Sequence, residues 1–234
     1  SVHRELEKNM ATFLGKEDSF IFAMGYATNS TAIPLLISKG GLIISDSMNH
    51  ASIVAGCRES GAKVMTFKHN DTEDLERIVR SAIVKGCFNM ILIIVEGIYS
   101  MEGDVCNLPE IARIKMKYKC KLYIDEAHSI GSVGPSGRGI TDYFGKELMD
   151  RFGTRDVADV LMGTFTKSFA SIGGYIASDR QTIARVRANW CGGVSMPPMC
   201  AQQIISALNT ISSPEDTRIK SLEENTRYLR KALI

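Results

Sequence analysis

Met90-Ile91-Leu92-Ile93-Ile94-Val95 is an unbroken apolar run of strand length. A strand with one wet face alternates polar and apolar residues; a continuous run suits a strand covered on both faces. Working outward, Leu42-Ile43-Ile44-Ser45 and Lys63-Val64-Met65-Thr66-Phe67 read as strands upstream. Leu122-Tyr123-Ile124, Val160-Leu161-Met162 and Tyr175-Ile176-Ala177 read as strands downstream. Between them, Leu75, Ile78, Val79, Ala82 and Ile83 recur at helical spacing and form one apolar stripe. Thr72, with Glu73 and Asp74 behind it, reads as the cap and acidic first turn of that helix. Leu108, Ile111, Ala112 and Met116 repeat the pattern, with Pro109 at a helix start. Strands alternating with helices of this length predict an α/β fold, a mostly parallel central sheet flanked by helices.

Composition narrows the class. Of 234 residues, 44 % are hydrophobic and 23 % charged, a balance that excludes disorder and a small disulfide-stapled module. Lys and Arg exceed Asp and Glu by 28 to 26, so the +2 charge gives no broad footprint for nucleic acid or an anionic membrane surface. No apolar run approaches the roughly 20 residues of a membrane span. The six cysteines (57, 87, 106, 120, 191 and 200) form no C-x-x-C pair and have no histidine at metal spacing. They read as small buried side chains in a reducing compartment, and no metal site is expected. Ser1-Val2-His3-Arg4-Glu5 lacks the pattern of a signal peptide, so a cytosol-facing location is the default. A helical pattern (Leu6, Met10, Phe13, Leu14) begins almost at residue 2, and another (Ile219, Leu222, Tyr228, Leu229, Leu233) runs to Ile234. The chain therefore reads as the middle of something longer.

In an open parallel sheet, ligands sit beyond the carboxyl ends of the strands. The polar residues there are Asp46 with His50, Glu96 with Ser100, Asp125 with His128, and Thr164, Thr166 and Lys167. Their convergence on one site is the expectation. Ile124-Asp125-Glu126-Ala127-His128 resembles the metal box of a helicase-type NTPase, but such an enzyme needs a G-x-x-x-x-G-K-[ST] loop. Gly163-Thr164-Phe165-Thr166-Lys167-Ser168 has Thr where the second Gly belongs and follows the acidic box instead of preceding it. Gly131, Gly134, Gly137 and Gly139 follow a loop and lead to no clear helix, so they read as a plain glycine-rich turn. Histidines 3 and 69 read as surface or loop residues. A lysine among hydroxyls that can bind phosphate, and a carboxylate able to keep a pyridine nitrogen protonated, are what pyridoxal phosphate requires. Lys167, Thr164, Thr166 and Asp125 supply that set.

Val95-Glu96-Gly97-Ile98-Tyr99-Ser100-Met101-Glu102-Gly103, Asp125-Glu126-Ala127-His128-Ser129-Ile130-Gly131 and Gly163-Thr164-Phe165-Thr166-Lys167-Ser168 resemble the α-oxoamine synthases. These pyridoxal-phosphate enzymes, of transferase fold type I, condense an amino acid with an acyl-CoA thioester. Phe67-Lys68-His69-Asn70, the segment from Ser45 to Ser52, and Met196-Pro197-Pro198 are most similar to members that join L-serine to palmitoyl-CoA, releasing CoA and carbon dioxide and giving 3-ketodihydrosphingosine. Siblings that use glycine or alanine, and a non-catalytic scaffold subunit, are the alternatives; the intact Lys167, Asp125 and His128 speak against the scaffold.

The resemblance implies roles residue by residue. Lys167 matches the lysine that carries the cofactor, Asp125 the partner of the pyridine nitrogen, and His128 the group bonded to the ring's 3′-oxygen. Ser100 matches a hydroxyl near that oxygen, and His50 the histidine stacked over the ring. Gly25 and Tyr26 match the turn whose backbone approaches the phosphate, with Thr164 and Thr166 as further donors. It also implies that residues 1–234 form one large cofactor-binding domain, without the smaller domain whose arginine grips the substrate carboxylate. A dimer is implied too, in eukaryotes with a related subunit lacking the lysine and at the endoplasmic reticulum membrane.

Overall fold

The computed structural model describes residues 1–191 and 193–233. Along the chain run α1 (Val2–Leu14), β1 (Asp18–Phe22), α2 (Gly25–Leu36), β2 (Leu42–Asp46), α3 (Ala51–Glu59), β3 (Lys63–Phe67), α4 (Thr72–Lys85) and β4 (Ile91–Glu96). Then follow α5 (Leu108–Tyr118), β5 (Lys121–Asp125), α6 (Ile140–Tyr143), α7 (Gly145–Phe152), β6 (Val160–Thr164), β7 (Gly174–Ser178), α8 (Arg180–Asn189), α9 (Pro198–Ile211) and α10 (Arg218–Leu233). Ile234, to which the C-terminal helical pattern extends, lies outside the described residues.

Among the described residues the strands make one seven-stranded sheet in the order β1-β7-β6-β5-β4-β2-β3. β3, β2, β4, β5 and β6 are parallel, and β7 runs antiparallel to both β6 and β1. Strand alternation divides the apolar residues between two faces. Ile43, Leu92, Ile94 and Tyr123 face Ala32, Ile33 and Leu36 of α2, Ile53 of α3 and Ile183 of α8. Leu42, Ile44, Ile93, Val95, Leu122 and Ile124 face the apolar stripes of α4 and α5. α1 and α9 cover Tyr175, Ala177 and Ile21 at the β7–β1 end. Burial on both faces is what the unbroken run in β4 foretold.

Three details differ from the sequence reading. The cap of α4 is Asp71, not Thr72: its carboxylate accepts from the Glu73 and Asp74 amides at 3.1 and 2.9 Å. An aspartate one residue earlier reaches the orphan N–H groups and brings charge to the positive helix end. Of the free cysteines, Cys57, Cys106 and Cys120 are buried, but Cys87 and Cys191 are exposed, the first just past the αL glycine that ends α4. The stripe of α10 buries nothing among the described residues, and Leu222, Tyr228, Leu229 and Leu233 stand exposed.

Candidate active site

Because β2, β4, β5 and β6 are parallel, Asp46, Glu96, Asp125 and Thr164 end their strands along one edge of the sheet. A cleft of about 280 Å³ opens there. Gly25, Tyr26, His50 and Asp125 line it together with His128, Thr164, Thr166 and Lys167. Ser100 does not. Its neighbour Tyr99 is buried, and the following turn is tied by the Tyr99 amide to the Asp104 carbonyl at 2.9 Å, leaving Ser100 exposed and outside the cleft. Asp46 is withheld as well. Its carboxylate accepts from the amides of Met48 and Asn70 at 2.9 Å and from His69 Nδ1 at 2.8 Å.

His69 is therefore more than a loop histidine. Its side chain is 17 % exposed, its Nε2 reaches the Asp104 carboxylate at 3.2 Å, and its ring meets Tyr99 edge-on. Burial pulls its pKa down, but the hydrogen bonds and charges of Asp46 and Asp104 outweigh burial and hold it above the ordinary value. His3 keeps a local role, with Nε2 2.6 Å from the Met196 carbonyl.

One end of the cleft suits a phosphate. α2 starts at Gly25 without a side-chain cap, and its first amide bonded within the helix is that of Thr28, to the Met24 carbonyl. The N–H groups before it are the orphans that make a helix N-terminus an anion site. Thr164 and Thr166 stand beside them, their hydroxyl oxygens 2.8 Å apart. A Cβ on Gly25 would lie 2.6 Å from Thr164 Oγ1, so the close approach of backbone and hydroxyl needs glycine.

The other end presents a buried acid. Tyr123 and Asp125 are two residues apart on β5 and so point to the same face, towards α2. There Asn29 meets both: its Nδ2 donates to Asp125 Oδ2 at 2.7 Å and to Ser52 Oγ at 2.9 Å, while its Oδ1 accepts from Tyr123 OH at 2.7 Å. The Ala127 amide donates to Asp125 Oδ1 at 2.8 Å. Burial raises the Asp125 pKa, opposed by the Asn29 and Ala127 hydrogen bonds and the Lys167 charge. Sequence reasoning missed Asn29 and Ser52. The available signal was an amide on the buried face of a short helix beside Thr28, Ala32 and Ile33.

Lys167 is held by its neighbours. Phe165 and Phe169 on either side are buried against Tyr175, while Thr166, Lys167 and Ser168 turn outward. Ser168 Oγ donates to the Ile130 carbonyl at 2.6 Å, joining this loop to the one carrying His128. Burial lowers the proton affinity of Lys167, against the pull of Asp125 and Glu96. Burial and then the Lys167 charge lower that of His128. His50 caps α3: Nδ1 lies 2.8 Å from Ser52 Oγ, and its amide donates to Glu96 Oε1 at 2.6 Å. Burial, reinforced by the Asp125 charge, pushes the Glu96 carboxyl up to about 8.

Glu126 leaves β5 on the opposite side from Asp125. Its carboxylate accepts from Ser129 Oγ and from the Ile140 amide at 2.9 Å, and holds the glycine-rich turn. Gly131, Gly134, Gly137 and Gly139 all have positive φ, as a plain turn of this kind requires, and the short α6 follows. At Gly139, φ is +90° and a Cβ would stand 2.4 Å from Glu126 Oε2. Gly139→Ala is therefore expected to cost about 3 kcal/mol from backbone strain and overpacking. In a chain of this size that corresponds to about 10 °C in Tm. Calorimetry showing a Tm within about 2 °C of the parent would contradict this account of the turn.

A sheet of this topology, with a cleft built from its strand ends and lined by a phosphate cradle, a lysine and a buried carboxylate, defines a class. A model of the aminotransferase class I and II family matches residues 1–234, and the chain belongs to that family. It is 50 % identical to serine palmitoyltransferase 2 of Dictyostelium discoideum, over 98 % of this chain and 48 % of that protein. It is 46 % identical to long chain base biosynthesis protein 2a of Arabidopsis thaliana, over 100 % of this chain and 49 % of that one. A high-resolution structure of serine palmitoyltransferase with a pyridoxal phosphate internal aldimine superimposes with a TM-score of 0.87 at 30 % identity, covering 99 % of this chain and 56 % of that one. The fold is thus the type I transferase fold expected from the sequence. The chain spans about half the length of the curated relatives it matches.

Proposed function

We propose that this chain is the large domain of a pyridoxal-phosphate-dependent acyltransferase that condenses L-serine with palmitoyl-CoA. The observation that carries the reading is a single cleft holding the α2 N-terminus, the Thr164 and Thr166 hydroxyls, Lys167 and the buried Asp125. Those residues fit the cofactor: donors for its phosphate, an amine for its aldehyde and a carboxylate for its ring nitrogen. When bound, pyridoxal phosphate supplies a cationic ring that draws electrons from the amino acid's α-carbon. The chain's residues do the rest. Asp125 keeps the proton on the ring nitrogen. Lys167, its proton affinity lowered by burial, alternates between holding the aldehyde and moving a proton at the α-carbon. His128, its proton affinity lowered by burial and then by the Lys167 charge, would hydrogen-bond the ring oxygen. His50, oriented by Ser52 and Glu96 at the rim, would pack against the bound ring.

The names of the relatives support serine and palmitoyl-CoA over glycine- or alanine-using chemistry. The same reading makes residues 1–234 the large domain and sets the cleft at a subunit boundary, against a related subunit without the lysine. Met24, Tyr26 and Met48 are each at least half exposed, which suits such a boundary. It assigns the assembled enzyme to the cytosolic side of the endoplasmic reticulum membrane; no helix among the described residues is long and apolar enough to cross a membrane.

The test is a difference spectrum of the purified chain with bound cofactor. Serine is expected to perturb the cofactor band at concentrations where glycine and alanine leave it unchanged. A response to glycine or alanine stronger than to serine would overturn the substrate assignment.

A further inference from the structure

Asn29 does something that its place on a packed helix does not require. It sits on the face of α2 that buries Ala32, Ile33 and Leu36, where an apolar residue would pack without cost. Instead its amide makes three directed contacts: it receives the Tyr123 hydroxyl and gives one hydrogen to Ser52 and one to Asp125. The direction of this chain is fixed by chemistry. An ionised Asp125 only accepts, so the amide must present its nitrogen to it; Oδ1 then faces Tyr123, and that hydroxyl must donate. Both atoms of the amide head are thereby specified, and neither can rotate away without leaving a buried polar group unpaired.

We propose that Asn29, oriented by Tyr123, is the positioning residue that keeps Asp125 ionised and aimed at the cofactor's ring nitrogen. The inference rests on the reading of the cleft as a pyridoxal phosphate site. Its physical basis is a competition for one proton. Asp125 is 3 % exposed, and burial alone favours its neutral acid. A neutral Asp125 would have taken the proton that the ring nitrogen needs. The Asn29 hydrogen bond stabilises the carboxylate, and so leaves that proton on the ring. The Ala127 amide does the same at the other oxygen, but it belongs to the backbone and no side-chain change removes it. Ser52 takes the second amide hydrogen and touches His50 Nδ1, so the same side chain links the buried Asp125 carboxylate to the histidine at the cleft rim.

The test uses the chain loaded with pyridoxal phosphate carrying ¹⁵N in the ring, whose chemical shift separates a protonated from an unprotonated nitrogen. The parent is expected to show the protonated signal. Asn29→Ala should move that signal towards the unprotonated position and lower kcat about tenfold, the scale on which outer hydrogen-bond partners of site ligands act. KM for serine should change less than about twofold, because the Asn29 amide is spent on Tyr123, Ser52 and Asp125 and has no hydrogen left for a substrate. Tyr123→Phe keeps the ring and its packing and should move the ¹⁵N signal the same way by less. A parent signal retained in Asn29→Ala overturns the proposal. Should Asn29→Ala fail to fold, Tyr123→Phe decides, and an unmoved signal there overturns it equally. A parent chain in which borohydride fixes no cofactor on Lys167 would instead overturn the reading of the cleft, a result distinct from either.

Discussion

Lys167→Ala is expected to leave a folded chain that retains no cofactor through borohydride reduction and denaturation, with turnover down on the order of 10³-fold or more. The fold should survive because Lys167 is in none of the three buried clusters; its flanking phenylalanines, 165 and 169, hold the loop without it. Cofactor should still enter, more weakly, because the α2 amides, the two threonine hydroxyls and Asp125 remain. Mass spectrometry of the reduced, denatured protein reads the covalent bond, and equilibrium dialysis reads the residual affinity. A reduced adduct on another lysine would remove Lys167 from its role. So would unchanged turnover.

Asp125→Asn should separate binding from chemistry. Asparagine keeps the size of the side chain and still accepts from the Ala127 amide, so the fold and covalent loading are expected to persist. An amide oxygen carries no charge to hold a proton on the ring nitrogen. Loss of that preorganised electrostatic term is expected to cost at least about 10²-fold in kcat. The substitution also removes a buried carboxylate whose charged form burial disfavours. That gain is offset where the new Nδ2 meets Asn29 Nδ2, donor against donor, so thermal stability is expected to fall modestly while turnover collapses and the cofactor stays covalently loaded. Turnover equal to the parent, with stoichiometric cofactor, would show that the carboxylate is not needed.

Both experiments address residues that the sequence exposed, and the reason is local. Lys167, Asp125 and His128 each follow a strand whose apolar run marks its end, so their place at the sheet edge is read directly from the chain. Elements whose local signal is poor stayed hidden. Asp18-Ser19-Phe20-Ile21-Phe22 is an edge strand with a polar start, and its apolar residues are too few to announce it. α2 contains Gly25, Thr28, Asn29, Ser30 and an internal Pro34, a composition that argues against a helix; tertiary packing against α3 and the sheet overrides that propensity. The partners that α2 supplies, Asn29 above all, were hidden with it. Ser100, at the right distance past a strand, stands exposed beside the turn that buries Tyr99 and does not line the cleft.

Asp125 and Glu126 differ by one methylene, yet the pleat of β5 sends them to unrelated tasks, one beneath the cleft and one into the glycine-rich turn. Nothing in their own chemistry assigns them; the ladder to β4 and β6 does. Exchanging the two acids, Asp125→Glu with Glu126→Asp, would therefore set the longer arm under the cleft and the shorter one against Ile140. Polarity, volume and charge would all be kept, and both destinations would be wrong. In this dipeptide the order of the letters is itself the functional information.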